Sequence, residues 1–231
     1  MSGAPEGMIL VPGGPFLRGS DEFDIEGPPA TIELPAFWID RHPVTSGAYL
    51  RFVEATGHAA PPDWPGGRPP AGRLDHPVER VTWHDAAAYA AWAGKRLPTE
   101  AEWEKAARGT DGRRWPWGDT FEERRCIVWD HAMALDVTTT PVTAHPDGVS
   151  PYGVAEMAGN VEEWVADELR PYPGSRHRSP MAAGGLRVVR GGSWFYTQEH
   201  ARCAYRRGLP PDFDGWSQAG GPGFRCALDA D

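Results

Sequence analysis

Apolar residues recur at helical spacing in only a few stretches of this chain; elsewhere they come in short runs cut by glycine and proline. Tyr49, Phe52 and Val53 follow Pro43-Val44-Thr45 and precede Gly57, which predicts a helix over 46–56 capped by Thr45. A second helix is expected over 84–93, behind Thr82, with Asp85 as a weaker form of the capping box and Gly94 as its stop. The third opens at Pro98-Thr99-Glu100-Ala101-Glu102, where Thr99 caps and Glu102 completes a proper box; Trp103, Ala106 and Ala107 make its inward face. Short strands are predicted at 8–11, 16–18, 32–39, 78–81, 187–190 and 223–227. Few helices, scattered strands and much loop fit an α+β domain rather than a repeat or a Rossmann fold. The Pro/Gly-rich stretch 61–70 is too short for a linker, so residues 1–231 are read as one domain.

Composition explains why regular structure is sparse. Glycine (28) and proline (24) cut helices and demand turns, so the core must come from aromatics wedged between loops, with 11 tryptophans available. A net charge of −9 argues against a nucleic-acid partner, which needs clustered Lys and Arg. The arginines of 202–207 and 176–178 are short, interleaved runs, better suited to structural ion pairs or a small acidic-ligand site. No run is long enough to span a bilayer and no basic-then-apolar leader is present, so a cytoplasmic location without membrane contact is expected. Cys126, Cys203 and Cys226 cannot all pair and form no CxxC, which predicts free, buried thiols in a reducing compartment.

Several blocks in order then carry a resemblance. They are Met8-Ile9-Leu10-Val11-Pro12-Gly13-Gly14, Pro43-Val44-Thr45, Val81-Thr82-Trp83, Trp92 through Glu104, Trp115-Pro116-Trp117-Gly118, Met157-Ala158-Gly159-Asn160-Val161 with Glu163-Trp164, and Arg190-Gly191-Gly192-Ser193-Trp194. Arg202-Cys203-Ala204-Tyr205-Arg206 and Gly223-Phe224-Arg225-Cys226-Ala227 close the series. Together they resemble the formylglycine-generating-enzyme (sulfatase-modifying factor) family over most of the chain. The resemblance implies an elaborated C-type-lectin-like α+β fold with little regular structure. In disulfide-bearing relatives the partners of the positions matching Cys203 and Cys226 align with Ala107 and Ala90 here, which supports unpaired thiols.

The family's oxidising members keep two copper-binding cysteines in the window that here reads Phe195-Tyr196-Thr197-Gln198-Glu199-His200-Ala201. It holds no cysteine, so formylglycine generation does not carry over. The resemblance aligns Tyr196 with the first missing cysteine and puts Glu162 at a usual tryptophan near the cleft. Glu162 is then a candidate general base or metal ligand, or a surface change in a protein without catalysis. Tyr196, Glu199, His200 and Glu162 offer oxygen and nitrogen donors that suit iron rather than copper. Ser193, Trp194 and Arg206 are expected to line a substrate groove with them. A calcium ion is implied at Glu156 and Glu163 with the carbonyls of Gly159 and Val161, an oxygen set that suits a hard cation. A second family calcium site falls on the shorter stretch 126–140, with Cys126 at an asparagine ligand position, and Gly221 replaces another usual asparagine.

Two functions follow as expectations. One is an oxidative tailoring enzyme on a small molecule or peptide in secondary metabolism, using oxygen and a metal; the other is a non-catalytic ligand- or protein-binding module. Relatives that make sulfur–carbon bonds bring iron ligands on a separate helical bundle, so such chemistry here would need a partner protein.

Overall fold

The computed structural model describes residues 4–177, 184–215 and 220–230. Its first elements are β1 (Met8–Val11), β2 (Gly14–Arg18), β3 (Ala30–Leu34) and β4 (Phe37–Asp40). Four helices follow: α1 (Ser46–Thr56), α2 (Trp83–Trp92), α3 (Glu100–Arg108) and α4 (Trp129–Leu135). The chain ends in β5 (Glu163–Glu168), β6 (Arg187–Arg190), β7 (Arg206–Leu209), β8 (Gly223–Phe224) and β9 (Ala227–Asp229). β1, β4 and β9 form one antiparallel sheet and β2–β3 a second. The third sheet runs β7-β6-β5-β8, with β8 parallel to β5. This is the expected α+β architecture.

The caps behave as local chemistry dictates. The Thr45 side chain accepts from Ala48 N, and Gly57 ends α1 in the left-handed region at φ 73°. Both Thr82/Asp85 and Thr99/Glu102 close complete, reciprocal capping boxes, so Asp85 serves as fully as a glutamate would.

Strand predictions fail where a single residue breaks the ladder. The run 32–39 is split between β3 and β4 around Pro35, which lacks the N–H a ladder needs. Residues 78–81 are no strand, because Arg80 adopts φ +59°; Val78 and Val81 are buried there as core residues. The run 223–227 divides between β8 and β9, with the buried Arg225 between them. β5, β7 and α4 were not anticipated.

β5 and β6 separate two cores, as the period-two alternation of strands requires. Trp164 and Val189 point into a cluster with Tyr49, Phe52, Tyr89 and Phe224. Val165 and Val188 point the other way, against Trp103, Phe37 and Val11. Trp103, Ala106 and Ala107 of α3 are fully buried there, as predicted. The same helix also buries Glu100 and Glu104, which meet Arg190 at 3.1 and 2.8 Å. Arg108 closes on Glu104 at 2.8 Å, and Arg202 on Glu26 at 2.7 Å. The arginines of 202–206 are thus structural pairs; of the basic stretch 176–178, Arg178 lies outside the described residues. Buried pairs of this kind cost about 3–5 kcal/mol when one partner is removed.

All three cysteines are free and buried. Cys203 shares its cluster with Ala107, and Cys226 shares another with Ala90, so each sits where an alanine has replaced the partner the resemblance implied. Among the described residues no helix is long and apolar enough to cross a membrane.

Candidate functional site

Strand parity decides which charges reach the site. On β7, Arg206 and Arg207 point to opposite faces of the sheet, as neighbours in a strand must. Arg206 turns inward, where Nε and Nη2 meet the two oxygens of Glu100 at 2.7 and 2.8 Å beneath the ring of Tyr172. The expected substrate contact at Arg206 is therefore a buried structural pair. Arg207 takes the outward place.

At the start of β5 the same parity sends Glu163 inward and Glu162 outward. Glu162 joins Glu79, Ser193, Tyr196, Arg207 and Phe213 around a tight cleft whose interior is only about 10 Å³, room for about one water, rimmed by the backbone of Gly220, Gly221 and Pro222. Ser193, Tyr196 and Glu162 are thus brought together as predicted.

The electrostatics of the cleft differ from the expectation for Glu162. Arg207 Nε donates to its Oε1 at 2.7 Å and Nη2 donates to its Oε2, so both carboxylate oxygens are engaged. A carboxylate held this way is poorly placed as a base or metal ligand; it fixes Arg207, whose guanidinium lies 5.0 Å over the Tyr196 ring. Burial raises the Tyr196 hydroxyl above its usual range, the Glu162 charge adds to that, and Arg207 opposes it. Tyr196 is therefore a neutral phenol at neutral pH, able to donate a hydrogen bond.

Glu79 was not anticipated. Its Oε1 accepts from the indole Nε1 of Trp194 at 3.2 Å. Burial pushes its carboxyl up to about 7, against the smaller pull of the Trp194 hydrogen bond. Trp194, expected as a groove wall, is 5% exposed and anchors this carboxylate from behind. The available signal was an acidic residue between Val78 and Val81, two apolar positions that are both buried.

Two predicted residues lie beyond the cleft. His200 stacks behind Tyr196, with ring centroids 4.9 Å apart, and its Nδ1 meets Thr197 Oγ1 at 3.2 Å. Burial lowers its basicity, so its ring supports the tyrosine as a neutral plate. Glu199 lines a separate groove with Phe23, His200 and Tyr205, and its carboxylate binds Arg114 at 2.9 Å.

The chain matches the description of the sulfatase-modifying factor enzyme 1-like domain over residues 2–230. It belongs to this family. It is 37% identical to the formylglycine-generating enzyme of Thermomonospora curvata, over 97% of this chain and 94% of that one. It is 36% identical to hercynine oxygenase of Mycolicibacterium smegmatis, over 86% of this chain but only 56% of that protein. Among solved structures, PvdO from Pseudomonas aeruginosa superposes with a TM-score of 0.75 at 28% identity, covering 96% of this chain and 94% of that one.

Two glycines at the cleft have a direct physical cause. Gly192, at φ +64°, packs so closely that a Cβ would stand 2.7 Å from the His200 carbonyl carbon. The turn that presents Ser193 and Tyr196 depends on that contact. At the family's asparagine position, Gly221 presses against Asp214, whose carbonyl oxygen would lie 2.4 Å from an added Cβ. This rim has no room for the asparagine.

The loop where calcium was expected is shaped by Asn160, whose side chain accepts from Thr140 N at 3.0 Å and donates to Thr140 O at 3.1 Å and to Glu156 Oε2 at 2.8 Å. Glu156 Oε1 is buried without a hydrogen-bond partner, and burial pushes this carboxyl up to about 8. Glu163 is bound by Arg225 through Nε and Nη2, each at 2.7 Å, and by Trp103 Nε1 at 2.9 Å. Both oxygens of Glu163 are thus taken by Arg225, so of the two carboxylates expected to bind calcium only Glu156, with its orphaned buried Oε1, fits a hard cation. Among the described residues no group of three His, Cys, Asp or Glu side chains is placed to hold a metal ion, so the expected iron set is not assembled and a cation at Glu156 would rest on backbone carbonyls.

Proposed function

We propose that this protein is an oxidative tailoring enzyme acting on a small molecule or peptide bound in the Glu79–Tyr196 cleft. The observation that carries the reading is that one cleft is lined both by a carboxylic acid at about 7 and by a neutral phenol. A group with that affinity exchanges a proton readily near neutrality, which is what a general base needs. Its kinship with a protein named hercynine oxygenase supports oxidation as the reaction class.

Glu79 takes up one proton from the substrate; the two electrons and two protons that the substrate loses reduce dioxygen to hydrogen peroxide, through an electron-carrying centre that a partner protein would have to supply. Tyr196 donates a hydrogen bond to the reacting group, Ser193 orients it, and the Glu162–Arg207 pair holds the tyrosine in place. Formylglycine generation is disfavoured, since Cys126, Cys203 and Cys226 lie in three different hydrophobic clusters outside the cleft. Burial pushes the Cys203 thiol up to about 12, far from the reactive thiolate. The cleft residues do not form an iron site, and no step is assigned to iron; iron chemistry would need ligands from a partner protein. Calcium would be held by Glu156 and the carbonyls of Gly159 and Val161, where it would supply fixed positive charge that locks the loop; Glu163, with both oxygens on Arg225, is not free to join them.

The test uses purified protein and a small-molecule extract of the source strain with its gene deleted. Oxygen uptake, with a product that has lost two hydrogens or gained an oxygen, is expected; Glu79→Gln and Tyr196→Phe abolish it. Normal turnover by both variants would overturn the site, and ligand binding without any oxidation would make the protein a binding module.

A further inference from the structure

The backbone just before α2 makes a turn that an ordinary strand would not. In extended chain, residues three apart face opposite sides, so Val78 and Val81 should point apart. Both are buried in the same core cluster instead. The N–H of Val78 donates to Val44 O at 2.9 Å, and the carbonyl of Val81 accepts from the Trp164 indole at 2.8 Å, so both ends of the segment are pinned. The residue that reconciles them is Arg80, at φ +59°. That is the left-handed region, which glycine enters freely and a residue with a Cβ enters at a cost.

The turn decides where the side chain before it goes. Were Arg80 extended, keeping Val81 in the core would drive Glu79 in beside it; keeping Val78 there would send Arg80 in and Val81 out. With Arg80 left-handed, as in a bulge, both valines stay inside and Glu79 comes to the cleft, where its Oε1 accepts from Trp194 Nε1 at 3.2 Å. The seat is close-fitting: a Cβ on Gly220 would lie 2.4 Å from that Oε1 and 3.3 Å from the indole nitrogen. The Arg80 side chain is less committed, since its Nε is buried without a hydrogen-bond partner.

We infer that Arg80 is a positioning residue: its left-handed backbone, rather than its guanidinium, holds the Glu79 carboxyl in the cleft against Trp194. A non-glycine residue kept in this conformation, next to a group that must be aimed, is strain retained for placement. The inference rests on the reading above only in taking Glu79 as the working acid; the placement itself is measured without substrate or oxygen.

The Trp194 indole N–H reports the contact. Its magnetic resonance signal, assigned through Trp194→Phe, should titrate in the wild type with a midpoint at about 7 as Glu79 ionises, and stay fixed in Glu79→Gln. The charged groups around Glu79 are Asp63, Arg73 and Arg80, with the Glu162–Arg207 pair and Tyr196 on the same cleft. Arg80→Gly and Arg80→Val remove the same charge, so comparing them reads the backbone at residue 80 rather than the guanidinium. Arg80→Gly should keep the titration and Arg80→Val, whose β-branched side chain resists a left-handed backbone, should lose it. A second measurement stands even if Arg80→Val does not fold: by urea denaturation, Arg80→Gly should fold about fivefold more favourably than Arg80→Ala. A titration kept in Arg80→Val, lost in Arg80→Gly or absent from the wild type would overturn the inference, as would equal folding constants for the glycine and alanine variants. Absence of oxygen uptake leaves these readings untouched, and their failure leaves the oxidation assay standing.

Discussion

Arg207 reaches from β7 across β6 to close Nε and Nη2 on the carboxylate of Glu162, with Nε 2.7 Å from Oε1. The arginine side chain is 22% exposed and the glutamate 5%, so the two partners are unequally buried. Replacing Arg207 by leucine strands a charge away from water and should cost about 3 kcal/mol. Glu162→Gln leaves an arginine that can still reach solvent and should cost about 1 kcal/mol. Urea denaturation of both variants and the double variant checks this. Equal costs for the two single changes would show that Glu162 reaches water as readily as Arg207 does.

Glu79 gives a second prediction, through pH. Its carboxyl is raised in the folded protein to about 7 from an ordinary 4.5, so the fold binds a proton that the unfolded chain releases. The sign follows: this group's contribution is most favourable below pH 4.5 and is lost as pH rises to about 7, then stays constant. The loss should be roughly 2 kcal/mol, below what the full shift implies, because the side chain is partly exposed to screening water. Glu156 titrates in an overlapping window, so the measurement is the difference between wild type and Glu79→Gln across pH 5–8. A pH-independent difference would mean that Glu79 is ionised throughout.

The calcium loop offers a test that needs no substrate. If Glu156 Oε1 faces a bound cation, calcium at a hundred times its dissociation constant should stabilise the fold by about 2.7 kcal/mol. In a chain of 231 residues that is a rise in Tm of roughly 5–10 °C, reversed by chelator. Glu156→Gln should remove the response. A Tm that ignores both calcium and chelator would leave the orphaned oxygen as a protonated hydroxyl instead.

What was legible in the sequence was local. Thr99 and Glu102 lie three residues apart, and their capping box needs nothing else to form. The aromatics and alanines of α3 declared their inward face by spacing alone. Arg207 was not legible, because β7 reads Arg-Arg-Gly-Leu and carries no alternation to say which arginine faces the cleft. β5 reads Glu-Trp-Val-Ala-Asp-Glu, too acidic for a buried strand until Arg225 is seen to neutralise Glu163. Glu79 takes its meaning from Trp194, a partner 115 residues away, and no short-range pattern carries that pairing.

The rim of the cleft supplies the last prediction. The backbones of 214–215 and 220–221 are in such contact that a Cβ on Gly221 would lie 2.4 Å from Asp214 O and 3.0 Å from Gly215 Cα. Both are backbone atoms, so no side chain can swing aside and the chain itself must shift. Restoring the family's asparagine at Gly221 should therefore destabilise by about 1–3 kcal/mol, the usual range for overpacking, and should move the adjoining Pro222 and Phe213 wall. Gly221→Ala, which adds the Cβ and nothing more, should show most of the same loss. Thermal denaturation of the two variants checks the stability loss. If Gly221→Asn is as stable as wild type, the rim yields easily. The departure from asparagine then reflects something other than the close approach of these two backbones.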